Sequence, residues 1–140
     1  MRIELNELIG KVLVIAEPLE LYGQTAGVTF ITELGERFRM YHEQECCEGV
    51  SLEDICGDLA DLIGTPILVS ESVSNDTANL TRPDWYRDND SEIGYSWTFY
   101  KFATIRGGVT LRWFGCSNGY YSETAFLYRE SVLAPNLRVI

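Results

Sequence analysis

The sequence predicts an α+β fold: an antiparallel sheet of six to seven strands with one main α-helix, about residues 51–63, packed on one face. Three observations predict it. Eleven of the seventeen aromatic residues lie between Gly94 and Tyr128, in runs punctuated by Gly107-Gly108 and Asn118-Gly119, both hairpin-turn signals. Leu52, Ile55, Cys56, Leu59, Leu62 and Ile63 recur at helical spacing. Phe38, Met40 and His42 alternate with Arg37, Arg39 and Tyr41, the period of a half-buried strand.

Taken in order, Lys11 to Ala16 is a short apolar run and reads as a strand. Gly27 to Thr32 and Arg37 to Glu43 read as a hairpin joined through Glu33-Leu34-Gly35-Glu36. Ser51 is placed as the helix N-cap with Asp54 at N3, and Gly64 sits where a left-handed C-cap belongs. Pro66 forbids continuation, so Ile67 to Val73 reads as a strand. Ser74 to Ile93 is rich in Asn, Asp, Thr, Arg and Pro, and a loop of that length is usually functional or mobile. Tyr95 to Ile105 is expected to pair with Val109 to Gly115, and that arm with Tyr120 to Tyr128 across Asn118-Gly119. The Val132 to Ile140 tail reads as a last edge strand. On the long strand, Trp97, Phe99, Lys101 and Ala103 share one side and Thr98, Tyr100, Phe102 and Thr104 the other. With aromatics on both sides, a cover is expected from the helix, the long loop or a second subunit, and homo-oligomerisation follows from the last of these.

A chain of 140 residues with 46% hydrophobic content reads as one globular domain over 1–140 with a substantial core. The net charge is −10. Between Met40 and Thr81 there is no Lys or Arg, against nine acids from Glu43 to Asp76. That balance excludes direct binding to a nucleic-acid backbone, which needs clustered cations. Met1-Arg2 leads into Glu4, Asn6 and Glu7 rather than an apolar run, so no secretory leader is expected, nor any membrane span. Cytosolic placement then makes Cys46, Cys47, Cys56 and Cys116 thiols.

Several motifs, in order, carry a resemblance. His42-Glu43-Gln44-Glu45-Cys46-Cys47-Glu48, the stretch from Ser51 to Leu59, and Asp61-Leu62-Ile63-Gly64-Thr65-Pro66-Ile67-Leu68 are followed by Trp97 to Ile105. Val109-Thr110-Leu111-Arg112-Trp113 and Ser117-Asn118-Gly119-Tyr120-Tyr121-Ser122 complete the series. The chain resembles, over roughly residues 38 to 126, a family of small bacteriophage proteins, DUF7448, a domain of unknown function. The resemblance implies a phage-encoded accessory protein in the cytoplasm of the infected bacterial host. It implies no catalytic residues.

Four chemistries are weighed. His42 with Cys46, Cys47, Cys56 and Cys116 offers imidazole and thiolate to a metal, but no Cys-x2-Cys pair exists and adjacent cysteines chelate one zinc poorly. A Cys–His nucleophile at the same place has carboxylates around it, which raise a thiol pKa instead of lowering it. Glu53, Asp54, Asp58 and Asp61, three to four apart on a helix, offer paired carboxylates or a solvated acidic face. The fourth is a ligand surface of Tyr100, Lys101, Arg112, Trp113, Asn118, Tyr120, Tyr121 and Ser122, which combines stacking planes, cations and hydroxyl donors.

The fourth sets the leading expectation: a cofactor-free, non-enzymatic phage protein of counter-defence that sequesters a small anionic ligand such as a cyclic nucleotide immune signal. The alternatives are an acidic inhibitor of a host defence protein, mimicking nucleic acid, and a metal-dependent hydrolase.

Overall fold

The described residues form two antiparallel sheets, not a sheet and a helix. The computed structural model describes residues 1–44, 48–75, 94–117 and 124–130. The five-stranded sheet contains β1 (Arg2–Ile3), β2 (Leu13–Leu21), β3 (Gln24–Thr32), β4 (Arg37–Tyr41) and β9 (Phe126–Arg129), in the order β1-β9-β4-β3-β2. The four-stranded sheet contains β5 (Gly49–Cys56), β6 (Val69–Asn75), β7 (Gly94–Thr104) and β8 (Gly107–Ser117), in the order β5-β8-β7-β6. Two 3-10 turns, Leu5–Leu8 and Leu59–Leu62, each bury one leucine, Leu8 and Leu62.

The inner faces meet in one core. Val28 and Phe30 of β3, Phe38 and Met40 of β4 and Leu127 of β9 face Tyr100 and Phe102 of β7 and Val109, Leu111 and Trp113 of β8. Phe30 and Phe102 meet edge to face with ring centroids 5.2 Å apart, an arrangement favoured by the aromatic quadrupoles. The cover over the Tyr100 and Phe102 side of the long strand is therefore the other sheet, where the sequence suggested a helix, a loop or a subunit.

The expected α-helix at 51–63 is absent, and the reason is a β-bulge. Leu52 pairs Trp113 and Asp54 pairs Arg112, so Glu53 is the extra residue in β5. The bulge puts Leu52 and Ile55 on the same inward face although they are three apart. That is the spacing of a helical stripe, and here it belongs to a strand. Ser51, expected as an N-cap, stands inside β5 with its hydroxyl donating to Glu53. Gly57, at φ +113°, ends the strand. Asp58 then caps the 3-10 turn, its Oδ1 accepting from Ala60 N at 3.0 Å.

Two pairings also differ from expectation. The β7–β8 register matches Thr104 with Gly107, so the loop is Ile105-Arg106, and Gly107-Gly108 begin β8. Gly107 is needed there because a Cβ would lie 2.7 Å from the Asp61 carboxylate. Phe126 to Arg129, expected to pair with the arm ending at Gly115, instead joins β4 and β1 in the opposite sheet. The β3–β4 hairpin, the β7–β8 pair and the strand near 67–73 are as expected. The loop assigned to 74–93, the Asn118-Gly119 turn and the tail assigned to 132–140 lie largely or wholly outside the described residues.

Gly57 gives a sharp test of the β5 geometry. A Cβ there would sit 2.5 Å from the Gly108 carbonyl, on a backbone in the left-handed half of φ space. Gly57→Ala is expected to cost more than about 1 kcal/mol in urea unfolding, whereas a helix interior would gain about that much from the same change.

Candidate ligand-binding site

The pleat divides the residues that the sequence grouped as a ligand surface. Tyr100 and Trp113 turn inward and are 3% and 1% exposed. Lys101 and Arg112 turn outward on the four-stranded sheet. Arg112 is engaged there: Nη1 donates to Asp54 Oδ2 at 3.3 Å and the guanidinium lies 4.9 Å from the Trp97 ring centre. Asn118, Tyr120, Tyr121 and Ser122 lie outside the described residues.

Tyr100 has a structural task. Its hydroxyl donates to the Ala125 carbonyl at 2.9 Å and accepts from the Ala125 amide at 3.0 Å. Burial pushes its pKa up to about 12, so the phenol stays protonated and keeps both bonds. Tyr100→Phe leaves two backbone groups without partners. It is expected to cost about 1–3 kcal/mol in denaturant unfolding.

His42 is likewise occupied. Nδ1 lies 2.8 Å from the Thr124 carbonyl and Nε2 2.8 Å from Glu48 Oε2, with both side chains almost fully buried. A carbonyl only accepts, so Nδ1 donates, and a proton must then sit between Nε2 and Oε2. No ring nitrogen is left for a metal or a thiol. His42→Ala removes the buried hydrogen bonds to Glu48 and to the Thr124 carbonyl and is expected to cost about 1–3 kcal/mol in the same assay.

Cys46 and Cys47 lie outside the described residues. Cys56 is an exposed thiol, 3.4 Å from Asp54 Oδ2. Burial first, then the hydrogen bond to Asp54 and its charge, push the Cys56 thiol up, the opposite of nucleophile activation. Among the described residues no three His, Cys, Asp or Glu side chains gather as metal ligands. The helix that would have brought Glu53, Asp54, Asp58 and Asp61 together is a strand and a 3-10 turn.

The arrangement with ligand-binding character lies on the outer face of the five-stranded sheet. Arg39 stands opposite Tyr128, and Tyr128 opposite Arg2, so two arginines flank one tyrosine along a row of the sheet. In the next row Tyr41 stands opposite Phe126 on one side and Gly27 on the other, and Gly27 faces Leu19. Tyr41 and Tyr128 lie with ring centroids 4.7 Å apart. Arg2 lies over the Phe126 ring at 4.0 Å. Gly27 contributes no side chain to its row, and a Cβ there would overlap the Met40 carbonyl at 1.9 Å. The row is therefore low at its middle.

The result is a hollow of about 780 Å³ lined by Arg2, Arg39, Tyr41 and Tyr128, with Arg129, Glu43 and Glu130 among its walls. Three arginines against two glutamates give it a local cationic excess on a chain of net charge −10. Arg39 Nη1 pairs with Glu130 at 3.1 Å, and Arg129 Nη2 with Glu36 at 2.8 Å. Arg39 Nε is buried and has no hydrogen-bond partner among the described residues. The sequence showed that Arg39 and Tyr41 share the polar face of their strand. It did not show that Tyr128 and Arg2 lie beside them, because that depends on pairings between the two ends of the chain.

The two-sheet chain belongs to the family DUF7448, a domain of unknown function, whose profile matches residues 6–127. No curated protein and no solved structure gives a match.

Glu36 beside this hollow carries a pH signature. The hydrogen bond from Lys11 at 2.9 Å, with the Lys11 and Arg129 charges, holds its carboxyl below the ordinary value of 4.5 against the opposing effect of burial. Its folded pKa is depressed, so its contribution is present above pH 4.5 and lost as pH falls through the folded value. Glu36→Gln is expected to flatten the acid limb of the stability–pH curve measured by thermal melting.

Proposed function

We propose that this protein is a non-enzymatic, phage-encoded binding protein that sequesters a small anionic ligand with a planar ring. A cyclic nucleotide used as an immune signal in the cytoplasm of the infected bacterium is the leading candidate. The observation that carries the reading is the arginine–tyrosine hollow. Guanidinium groups are suited to phosphate oxygens in bidentate geometry, and tyrosine faces stack on nucleobases. A hollow of about 780 Å³ lies within the size range of small-molecule sites, about 300–1,000 Å³. The reading keeps the ligand class expected from the sequence and centres it on Arg2, Arg39, Tyr41 and Tyr128. Counter-defence and phage origin rest on the family resemblance and on this ligand chemistry together.

The acidic-inhibitor reading has less support. Asp54 is engaged by Arg112 and Asp58 caps a turn, so these two acids have local partners.

The test is a thermal-shift panel of linear and cyclic nucleotides with recovery of the ligand afterwards. At about 100 times its dissociation constant, a true ligand stabilises the fold by about 2.7 kcal/mol. The expected outcome is a shift with one or a few members, intact ligand on recovery, and loss of the shift in Arg39→Ala. A flat panel, or a shift that Arg39→Ala preserves, would overturn this site; recovery of hydrolysed ligand would overturn the non-enzymatic reading.

A further inference from the structure

An anion already stands among the arginines of the five-stranded sheet. Arg37 and Arg39 are two apart on β4, so both project from its outer face with Tyr41. The Glu130 carboxylate bridges them: Oε1 lies 3.6 Å from Arg37 Nη1 and Oε2 lies 3.1 Å from Arg39 Nη1. The backbone fixes this approach, since Glu130 N donates to the Arg37 carbonyl at 3.0 Å. Among the described residues the carboxylate pairs with no other cation, and its side chain is 34% exposed.

One oxygen on each of two guanidiniums is a contact set that a phosphate group makes equally well. The likeness is closest for a phosphodiester, which, like a carboxylate, spreads one negative charge over two free oxygens. Ion pairs as exposed as these are weak, so giving them up for another anion costs little. With no anion between them, two adjacent guanidiniums repel each other.

We propose that Arg37 and Arg39 form an anion clip in which Glu130 is a built-in placeholder, and that the ligand's phosphate binds by displacing it. The proposal rests on reading the arginine–tyrosine hollow as an anion site. It adds Arg37, which does not line the hollow, to the groups that hold phosphate. It also makes binding an exchange: an incoming anion has to outcompete a carboxylate tethered beside the clip, which selects against small monovalent anions.

The experiment is a magnesium-free calorimetric titration of the whole protein with inorganic pyrophosphate. About 0.1 M salt screens exposed charges more than about 10 Å apart. Expected are measurable binding by the wild type and a roughly threefold to tenfold gain in affinity in Glu130→Gln, the scale of two exposed ion pairs. Glu43→Gln removes the same charge from the wall of the hollow without releasing Arg37 or Arg39, and its gain is expected to stay below about twofold. Arg37→Ala is expected to weaken pyrophosphate roughly threefold or more. A gain in affinity cannot arise from a loss of folding, so Glu130→Gln reports on the clip itself. Equal gains in the two glutamine variants, no gain in Glu130→Gln, or unchanged affinity in Arg37→Ala would overturn the proposal and leave the hollow as an anion site. No pyrophosphate binding by the wild type or by Glu130→Gln would overturn both. The expected pattern beside a flat nucleotide panel would uphold the clip and remove the nucleotide as its ligand.

Discussion

The constraint on which the two sheets depend is the anchoring of Thr124 and Ala125. The chain leaves the four-stranded sheet at the end of β8 and re-enters the five-stranded one at Phe126, so these residues lie just before the return. Ala125 is held by both hydrogen bonds of the Tyr100 hydroxyl, from β7. Thr124 is held by His42, which follows β4 and is itself fixed by Glu48 before β5. Three strands from both sheets thus converge on one short segment through buried polar groups, each of which has a partner. Polar contacts of this kind specify a single register where apolar contacts alone would tolerate a slip.

That anchoring places the candidate ligand residues. β9 lies between β1 and β4 only in one register, and that register puts Tyr128 between Arg2 and Arg39. A shift of one residue would turn Tyr128 inward and Leu127 outward. The electrostatics then divide. The outer face of the five-stranded sheet gathers arginines, while β5 carries the acids Glu53 and Asp54, the latter paired with Arg112.

Much of the strand content was legible in the sequence because alternation is a local property. The Phe38–Met40–His42 series, the faces of the long strand and the β3–β4 turn needed no tertiary information. The helix at 51–63 was misread because a bulge at Glu53 reproduces the three-residue apolar spacing of a helix. Only pairing with Trp113 and Arg112 distinguishes the two. The candidate site was legible in part: Arg39 and Tyr41 were on a recognisable polar face, but Arg2 and Tyr128 reach them across pairings spanning almost the whole chain. Tyr100 and Trp113 were grouped with Lys101 and Arg112 by proximity in sequence, and the pleat sends the two pairs to opposite faces.

The same long-range pairing has a consequence for biosynthesis. Arg2 meets Tyr128 and Met40 meets Leu127, so the five-stranded sheet stays incomplete until β9 has been made. During translation β4 presents an open edge carrying Phe38 and Met40, residues that are fully buried once the sheet is complete. Nascent chains thus pass through a period of exposed apolar edge whose length is set by the ribosome's rate, roughly 5–20 residues per second. Association between such chains is the hazard of that interval, and yield at high expression should depend on elongation speed more than on the stability of the finished fold.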